Sequence, residues 1–344
     1  MEKKKILEVR DLKKHFPLGK GKLAEGKPCV KAVDGVSFTL NKGETMGIVG
    51  ESGSGKSVTA SSIIRLLPKI GKIVEGEIHF DGKDILKLNK NELLNYRGKD
   101  IAVVFQDPMT SLDPVFKIGN QMVEMICAHQ DVTREEAKQK AIDALKKVGI
   151  PQPEKRMESY PYELSGGMCQ RVIIAMAVCC KPKMIIADEP TTALDVTVQA
   201  QVLELLEELQ EEMDTSILLI THNLGVVWKM CDTVMVMYAG KTVEYATAKN
   251  LYLNPMHPYT WGLLDSMPKL SDEVKGELNT IPGTPPDLRL TGNCCNFCNR
   301  CQYATEICNK EVPPLMELEE GHFVACHRQN KKEQLRRGEV KENG

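Results

Sequence analysis

No stretch of this chain is apolar for long enough to cross a bilayer. The longest run, Val172 to Cys180, falls well short of the roughly 18 residues that a spanning helix needs. Met1-Glu2-Lys3-Lys4-Lys5 is not followed by an apolar signal region. These absences predict a cytosolic protein, with any membrane link supplied by a partner. Excess charge is missing too: 45 Lys and Arg against 47 Asp and Glu leave a formal net charge of −2, so nothing in the composition calls for nucleic acid. There is no internal repeat, and no flavin or haem motif that would favour an electron-transfer module. What remains is an ordinary globular composition, 42% hydrophobic, on a length of 344 residues. That length suggests about two domains.

Gly50-Glu51-Ser52-Gly53-Ser54-Gly55-Lys56-Ser57 spells G-x-x-x-x-G-K-S, a loop whose glycines let the backbone curl until successive N–H groups face phosphates. The helix that follows adds the positive end of its dipole. Lys56 is expected to reach the β and γ phosphates and the Ser57 hydroxyl to ligate Mg²⁺, with Gly50, Ser52, Gly53, Ser54, Gly55 and Val58 around the nucleotide. The context agrees, since Thr45 to Val49 reads as a short buried strand and Val58 to Leu67 as a helix stopped by Pro68. The motif commits the chain to a nucleoside triphosphate.

Residues 6 to 49 read as β-rich. Ala32 to Leu40 alternates like a half-buried strand, and Glu77 to Gly82 adds a strand and a hairpin turn, which predicts an antiparallel layer beside the nucleotide. From Asp131 to Val148 the pattern is helical and polar, with Thr133-Arg134-Glu135-Glu136 as a capped start. Then come an apolar helix (Met168 to Cys180), a buried strand (Met184 to Ala187), an amphipathic helix and another strand (Ile217 to Ile220). That alternation is typical of a parallel-sheet α/β core. The amphipathic helix carries Val198, Val202, Leu205, Leu206, Leu209 and Met213 on one side, and Glu204, Glu207, Glu208, Glu211 and Glu212 on a side that reads as solvated. Beyond Tyr259 the texture changes to a proline-rich loop with Pro268, Pro282, Pro285 and Pro286, then a cysteine cluster, then a charged tail from Lys331. A boundary is expected near residue 265, giving domains 1–265 and 266–344.

The strand Met184 to Ala187 runs into Asp188 and Glu189, where an NTPase places a magnesium carboxylate and a neighbouring base. Asp188 would hold the Mg²⁺ shell, and Glu189 would orient and deprotonate the attacking water. Leu164-Ser165-Gly166-Gly167-Met168-Cys169-Gln170-Arg171 puts Ser-Gly-Gly at the mouth of an apolar helix, a second anion-binding helix N-terminus. One nucleotide does not need two such mouths on one chain.

At these residues the chain resembles the ATP-binding subunits of ABC transporters. The resemblance implies that Ser165, Gly166, Gly167 and Gln170 belong to a signature motif that closes over the ATP held by an opposing subunit. It makes Gln106 in Val104-Phe105-Gln106 the Q-loop residue and a Mg²⁺ contact. Asp195 in Thr192-Ala193-Leu194-Asp195 becomes the D-loop acid, and His222 in Ile220-Thr221-His222 the switch histidine at the γ-phosphate. Catalysis would then rest on Glu189, His222, Lys56 and Gln106. The implied fold is α/β, a P-loop NTPase core of the ABC ATPase type with an antiparallel β layer and a helical subdomain over about 107–165.

Phe105 to Pro114, Ala187 to Thr197, His257-Pro258-Tyr259-Thr260 and Ile281 to Pro286 are similar to the oligopeptide/dipeptide permease ATPases, a group that includes nickel importers. The likeness runs from about residue 6 to residue 327. It implies an ATPase that powers import of oligopeptides or dipeptides, with nickel or another small solute as the alternative. Its place would be the cytoplasmic face of the membrane. Its partners would be a paralogous ATPase subunit, two transmembrane permease subunits and an extracellular solute-binding protein. Phe16 becomes the aromatic that stacks on adenine, or else a plain core aromatic, and Pro17 to Cys29 an insertion after it. Two positions depart from the pattern: Cys169 stands where a basic residue is usual, and Asn223 where Asp is usual. Neither removes an atom that touches phosphate, so activity is expected to survive. A soluble ABC ATPase without transport is the rival reading. Against it, the chain has one cassette and no long coiled-coil insert.

Six of the twelve cysteines (Cys294, Cys295, Cys298, Cys301, Cys308, Cys326) lie near the C-terminal end, which in a reduced compartment reads as a metal or cluster site. Cys29, Cys127, Cys169, Cys179, Cys180 and Cys231 are scattered and read as small core residues. The permease resemblance implies a [4Fe–4S] cluster on Cys295, Cys301, Cys308 and Cys326, spaced C-x5-C-x6-C-x17-C, with Phe297 and Arg300 in place. Local spacing offers another set, because Cys295-x2-Cys298-x2-Cys301 resembles the three-thiolate run of bacterial ferredoxins, and four thiolates would serve Zn²⁺ equally well. Free thiols without metal are the remaining alternative. The C-terminal region has few apolar residues for a core, so a small, loop-rich metal-binding region is expected there.

Overall fold

The computed structural model describes residues 4–18, 28–67, 70–192, 194–267, 280–289, 291–330 and 334–337. The expected helix stop at Pro68, most of the insertion after Pro17, Ala193, Pro268 and most of the charged tail lie outside them. Strands β1 (Lys5–Pro17), β2 (Cys29–Asn41) and β3 (Thr45–Val49) lead into helix α1 (Lys56–Ile63), followed by β4 (Lys72–Phe80), β5 (Lys83–Asp84), α2 (Lys90–Tyr96) and β6 (Ile101–Val104). Next come α3 (Pro108–Ser111), α4 (Ile118–His129), α5 (Arg134–Lys147), α6 (Pro153–Arg156), α7 (Gly166–Val178), β7 (Met184–Asp188), α8 (Val196–Met213) and β8 (Ser216–Thr221). The chain continues through α9 (Leu224–Met230), β9 (Thr233–Tyr238), β10 (Lys241–Thr247), α10 (Ala248–Leu253) and α11 (Pro258–Asp265) to β11 (Met316–Glu319) and β12 (His322–Val324). Two compact units are formed, the first from 1–7, 40–45 and 80–220, the second from 8–39, 46–79 and 221–344. The boundary expected near residue 265 falls inside the second.

In the first unit β6, β7 and β8 run parallel, Ile101 opposite Met184 and Met184 opposite Ser216. β8 is buried throughout and β7 up to its last residue, which is why both read as unbroken apolar runs rather than alternating ones. Helices α3 to α6 occupy the expected helical stretch. Helix α5 starts at the capping box foreseen for Thr133, whose hydroxyl accepts from the Glu136 N–H while the Glu136 carboxylate accepts from the Thr133 N–H. On α8, Val202, Leu205, Leu206 and Leu209 are buried while Glu204, Glu208, Glu211 and Glu212 are exposed. Gly167 is needed where α7 starts against α8, since a Cβ there would sit 2.7 Å from a Val198 methyl.

In the second unit the strand order is β11-β12-β10-β9-β3, with β3 parallel to β9 and β10 antiparallel to β12. Strand β3 matches the expected Thr45–Val49 and is wholly buried. Helix α1 begins two residues before the expected Val58 and ends at Ile63, because Arg65 turns left-handed (φ 54°) beyond it. The C-terminal stretch contributes β12 to this sheet, pairing Val324 with Glu244 and Phe323 with Tyr245. Beneath that pairing lies a fully buried polar group: the Glu244 carboxylate accepts from the N–H of Met256 (2.7 Å) and of His257 (3.0 Å) and lies 2.8 Å from His322 Nε2. His257 Nδ1 accepts from the Tyr259 N–H, and burial pushes its pKa down to about 4.

Candidate functional site

The phosphate loop leaves β3 at Gly50 and enters α1 at Gly55. A Cβ on Gly50 would lie 2.2 Å from the Met237 carbonyl oxygen, and one on Gly55 (φ 105°) would lie 2.4 Å from that of Ala32. A side chain at either place would push the loop out of its seat. No side-chain oxygen caps α1. Lys56 is 5% exposed, and its ammonium donates to the carbonyls of Gly50 (2.8 Å) and Glu51 (3.1 Å). Ser54 is buried and its hydroxyl has no hydrogen-bond partner, while Ser52, Gly53 and Ser57 are exposed and Val58 is half-buried. Phe16 is half-buried against Gly71, where a Cβ would meet its ring at 2.4 Å, and the Lys14 ammonium lies 5.4 Å from the ring centroid.

In the first unit, β7 ends at Asp188, and Glu189 follows in a left-handed turn (φ 48°) with its N–H donating to the Ile220 carbonyl (2.8 Å). The Glu189 carboxylate accepts from the Gln106 amide (3.2 Å) and from the Thr192 hydroxyl (2.9 Å). Gln106 and Glu189, the glutamine expected for the Q-loop and the expected base, therefore meet across 83 positions. Asp195 caps α8 through the Val198 N–H (3.0 Å), and the Gln199 amide fastens the carbonyls of Thr191 and Leu194, both at 2.9 Å. Ser165 caps α7 through the Met168 N–H (3.3 Å), and both Ser165 and Gly166 are exposed.

Gln170, expected with them, is not at that exposed mouth: it is 0% exposed, and neither its amide oxygen nor its nitrogen has a hydrogen-bond partner. Cys169 is also fully buried, its thiol 3.4 Å from the Pro161 carbonyl and its pKa pushed up by burial. It acts as a core residue. His222 is exposed after β8, and Asn223 beside it caps α9 through the Gly225 N–H (3.0 Å). Asn and Asp are equivalent in that task, which accounts for the departure at this position.

All twelve cysteines are free thiols. Of the scattered six, Cys169 and Cys231 are buried and the others half-buried. In the C-terminal region the Cys295 N–H donates to the Cys308 carbonyl (2.9 Å) and the Cys298 N–H to the Cys295 carbonyl (3.1 Å), making a turn over Cys298–Arg300. Burial pushes the Cys295 and Cys326 thiols up to about 12, and neighbouring thiols add to the shift: Cys308, Cys326 and Cys298 near Cys295, and Cys301 and Cys308 near Cys326. Cys298 is raised by burial and then by Cys294. Among the described residues no group of three or more His, Cys, Asp or Glu is arranged to hold a metal ion, so the metal-binding region expected from the sequence is not seen as such.

Two contacts had no signal in the sequence. Arg300, in the cysteine turn, forms an ion pair with Glu51 of the phosphate loop, 249 positions away, and the Tyr259 hydroxyl accepts from the Glu51 N–H (2.8 Å). Residue spacing carries no information about pairs so distant.

A glycine loop between strand and helix, an acid pair ending a parallel strand beside the Gln106 amide, and a helix mouth with Ser165 and Gly166 exposed define an ABC-type ATPase. Known proteins agree. The ABC transporter family matches residues 33–192, and the oligopeptide/dipeptide transporter C-terminal region matches residues 243–308. The chain is 50% identical over 321 residues to the oligopeptide transport ATP-binding protein OppD of Bacillus subtilis, covering 93% of this chain and 88% of that protein. It is 46% identical over 329 residues to the dipeptide transport ATP-binding protein DppD of the same organism, covering 95% and 96%. Among solved structures, the dimeric post-hydrolysis state of the ATP-binding cassette MJ0796 bound to ADP and Pi shares 27% identity at a TM-score of 0.62, covering 70% of this chain and 98% of that one. The chain belongs to the ATP-binding proteins of oligopeptide and dipeptide ABC transporters. Among the described residues no helix is long and apolar enough to cross a membrane.

Proposed function

We propose that this chain powers the import of oligopeptides or dipeptides, hydrolysing ATP at the cytoplasmic face of a membrane transporter. The relatives named for peptide transport and the match over residues 243–308 support that substrate class. Its partners in this reading are a paralogous ATPase subunit, two transmembrane permease subunits and, through them, an extracellular solute-binding protein.

The observation that carries hydrolysis is the Glu189 carboxylate, held by the Gln106 amide and the Thr192 hydroxyl. A carboxylate fixed in this way can serve as the base for a water that attacks the γ-phosphate. Lys56 exchanges two loop carbonyls for β and γ phosphate oxygens, and the unpartnered Ser54 hydroxyl gains an acceptor. The Ser57 hydroxyl, the Asp188 carboxylate and the Gln106 amide oxygen are hard donors of the kind Mg²⁺ takes, and would hold it. When bound, that ion neutralises charge on the phosphates. His222 contacts the γ-phosphate and Phe16 the adenine. Ser165, Gly166 and Gly167 close over the ATP of the paralogous subunit, and Asp195 fixes the start of α8. Glu189→Gln in the assembled transporter is expected to keep ATP binding and lower turnover about 10²- to 10⁴-fold. Near-normal turnover would remove Glu189 from this role. Stimulation by binding protein loaded with nickel and not with peptide would overturn the substrate class.

The four thiols Cys295, Cys301, Cys308 and Cys326 hold a [4Fe–4S] cluster in this reading. Support comes from the burial of Cys308 and Cys326 and from the backbone bond that joins the Cys295 N–H to the Cys308 carbonyl (2.9 Å), with Cys298 as the alternative ligand. The donor set, four unpaired thiols, suits iron or zinc. When bound, a cluster would cross-link a region with little apolar core of its own.

A further inference from the structure

We infer that Arg300 is a positioning residue for ATP: it neutralises and seats Glu51 of the phosphate loop, so that the cysteine turn sets the affinity of the loop for nucleotide. The inference needs only ATP binding at Gly50–Ser57 and is independent of what the thiols hold.

Glu51 is an awkward residue for its place. It is the first variable position of the loop, and a carboxylate beside a triphosphate repels it unless a cation stands between. Arg300 meets this carboxylate fork to fork, Nη1 at 2.6 Å from Oε2 and Nη2 at 3.0 Å from Oε1, with side-chain exposures of 4% for Arg300 and 29% for Glu51. Its other bonds fix the fork: Nε donates to the Pro282 carbonyl (2.8 Å), Nη2 to the Ile281 carbonyl (3.2 Å) and Nη1 to the Tyr238 hydroxyl (3.3 Å). With all three nitrogens engaged, the guanidinium is held where it is.

The backbone of Glu51 is held as well. Its N–H donates to the hydroxyl of fully buried Tyr259, whose ring packs 4.6 Å from Tyr238 and 5.4 Å from Phe297, centroid to centroid. Its carbonyl accepts from Lys56, the residue that must reach the phosphates. Displacing Glu51 therefore displaces one of the two carbonyls that hold that lysine ready before nucleotide binds.

A second tie runs from the same turn to the far side of the loop. The Asn296 amide donates to the Ala239 carbonyl (3.0 Å), and the next residue, Gly240, donates its N–H to the Ser54 carbonyl (2.9 Å). Arg300 is presented by the turn that Cys298 and Cys301 flank, its N–H bonded to the Phe297 carbonyl (3.0 Å). A rearrangement of the cysteine turn thus reaches the loop at Glu51 and at Ser54.

The test is a double-mutant cycle on the full chain, read as the dissociation constant of a fluorescent ATP analogue. Arg300→Ala is expected to weaken binding about tenfold by leaving Glu51 uncompensated. Arg300→Lys, which keeps the charge and loses the fork, should fall between. In a Glu51→Gln background, Arg300→Ala should have less than a third of its effect. In the assembled transporter KM for ATP should rise while kcat changes less than about twofold. An Arg300→Ala effect of equal size in both backgrounds would reduce Arg300 to a packing residue of the C-terminal region. A fall in kcat with KM unchanged would also overturn the inference. If Arg300→Ala fails to fold, the same cycle with Arg300→Lys decides, loss of coupling to Glu51→Gln being the overturning result. Lys56→Ala serves as the control: if it leaves analogue binding intact, the loop itself, not Arg300, has been misread.

Discussion

The phosphate loop and the cysteine turn share one compact unit, yet they are specified in opposite ways. The loop is eight consecutive residues between a buried strand and a helix, and its Gly50 and Gly55 sit where a Cβ would strike the Met237 or Ala32 carbonyl. The cysteine turn takes its place only through contacts far along the chain, the Arg300 guanidinium on Glu51 and the Asn296 amide on the Ala239 carbonyl. Recognition by backbone amides is legible because glycine spacing is itself a geometry. Recognition by side chains waits for the tertiary fold to choose among candidates.

Four experiments would break or sharpen that comparison. Lys56→Ala should have the largest effect, on the order of a hundredfold weaker ATP binding from the loss of charge-assisted bonds to phosphate, with iron content unchanged. Loss of iron in that variant would show that the loop and the turn cannot be separated.

Anaerobic purification should give a brown protein with iron and acid-labile sulfide in equal amounts. Cys326→Ser should lose both, and Cys298→Ser should keep them. Stoichiometric zinc in a colourless protein would overturn the cluster, and the reverse pattern in the two variants would move the fourth ligand to Cys298.

A smaller effect is expected from acid, at the polar group beneath β10 and β12. His257 is held near a pKa of about 4 against an ordinary 6.5, mainly by burial. Between those values the unfolded chain binds the proton and the folded chain does not, so stability is complete above pH 6.5 and falls as pH drops toward 4. The slope from this one group is at most about 1.4 kcal/mol per pH unit, and His257→Gln should flatten it in denaturant titrations. An unchanged slope would remove His257 as the source. Smallest of all, Asn223→Asp should alter stability by less than about 0.5 kcal/mol, since both residues cap α9 equally well. A large loss would show that Asn223 does more than cap.

Much of the local structure was legible. Strand β3 coincides with the stretch expected from its apolar run, α5 begins at the capping box read from Thr133 and Glu136, and the acidic side of α8 is largely solvated. These features rest on residues within one or two helical turns of each other. Gln170 shows where such reading stops. The family resemblance grouped it with Ser165 and Gly166, but the period of 3.6 residues turns it inward, to the same side of α7 as buried Ile173 and Ile174. The α1 boundary was displaced for a similar reason, because the left-handed Arg65 ends the helix ahead of the proline.

By itself the sequence determined the nucleotide chemistry, the order of the motifs and the family, since each of these is written in short runs whose spacing fixes backbone geometry. Only the tertiary structure decided that the Gln106 amide holds Glu189, that the Asn296 amide meets the Ala239 carbonyl, and that Arg300 meets Glu51. Those partners are far apart along the chain. Their meeting depends on which strands pair and which surfaces are buried, and those are properties of the packed molecule.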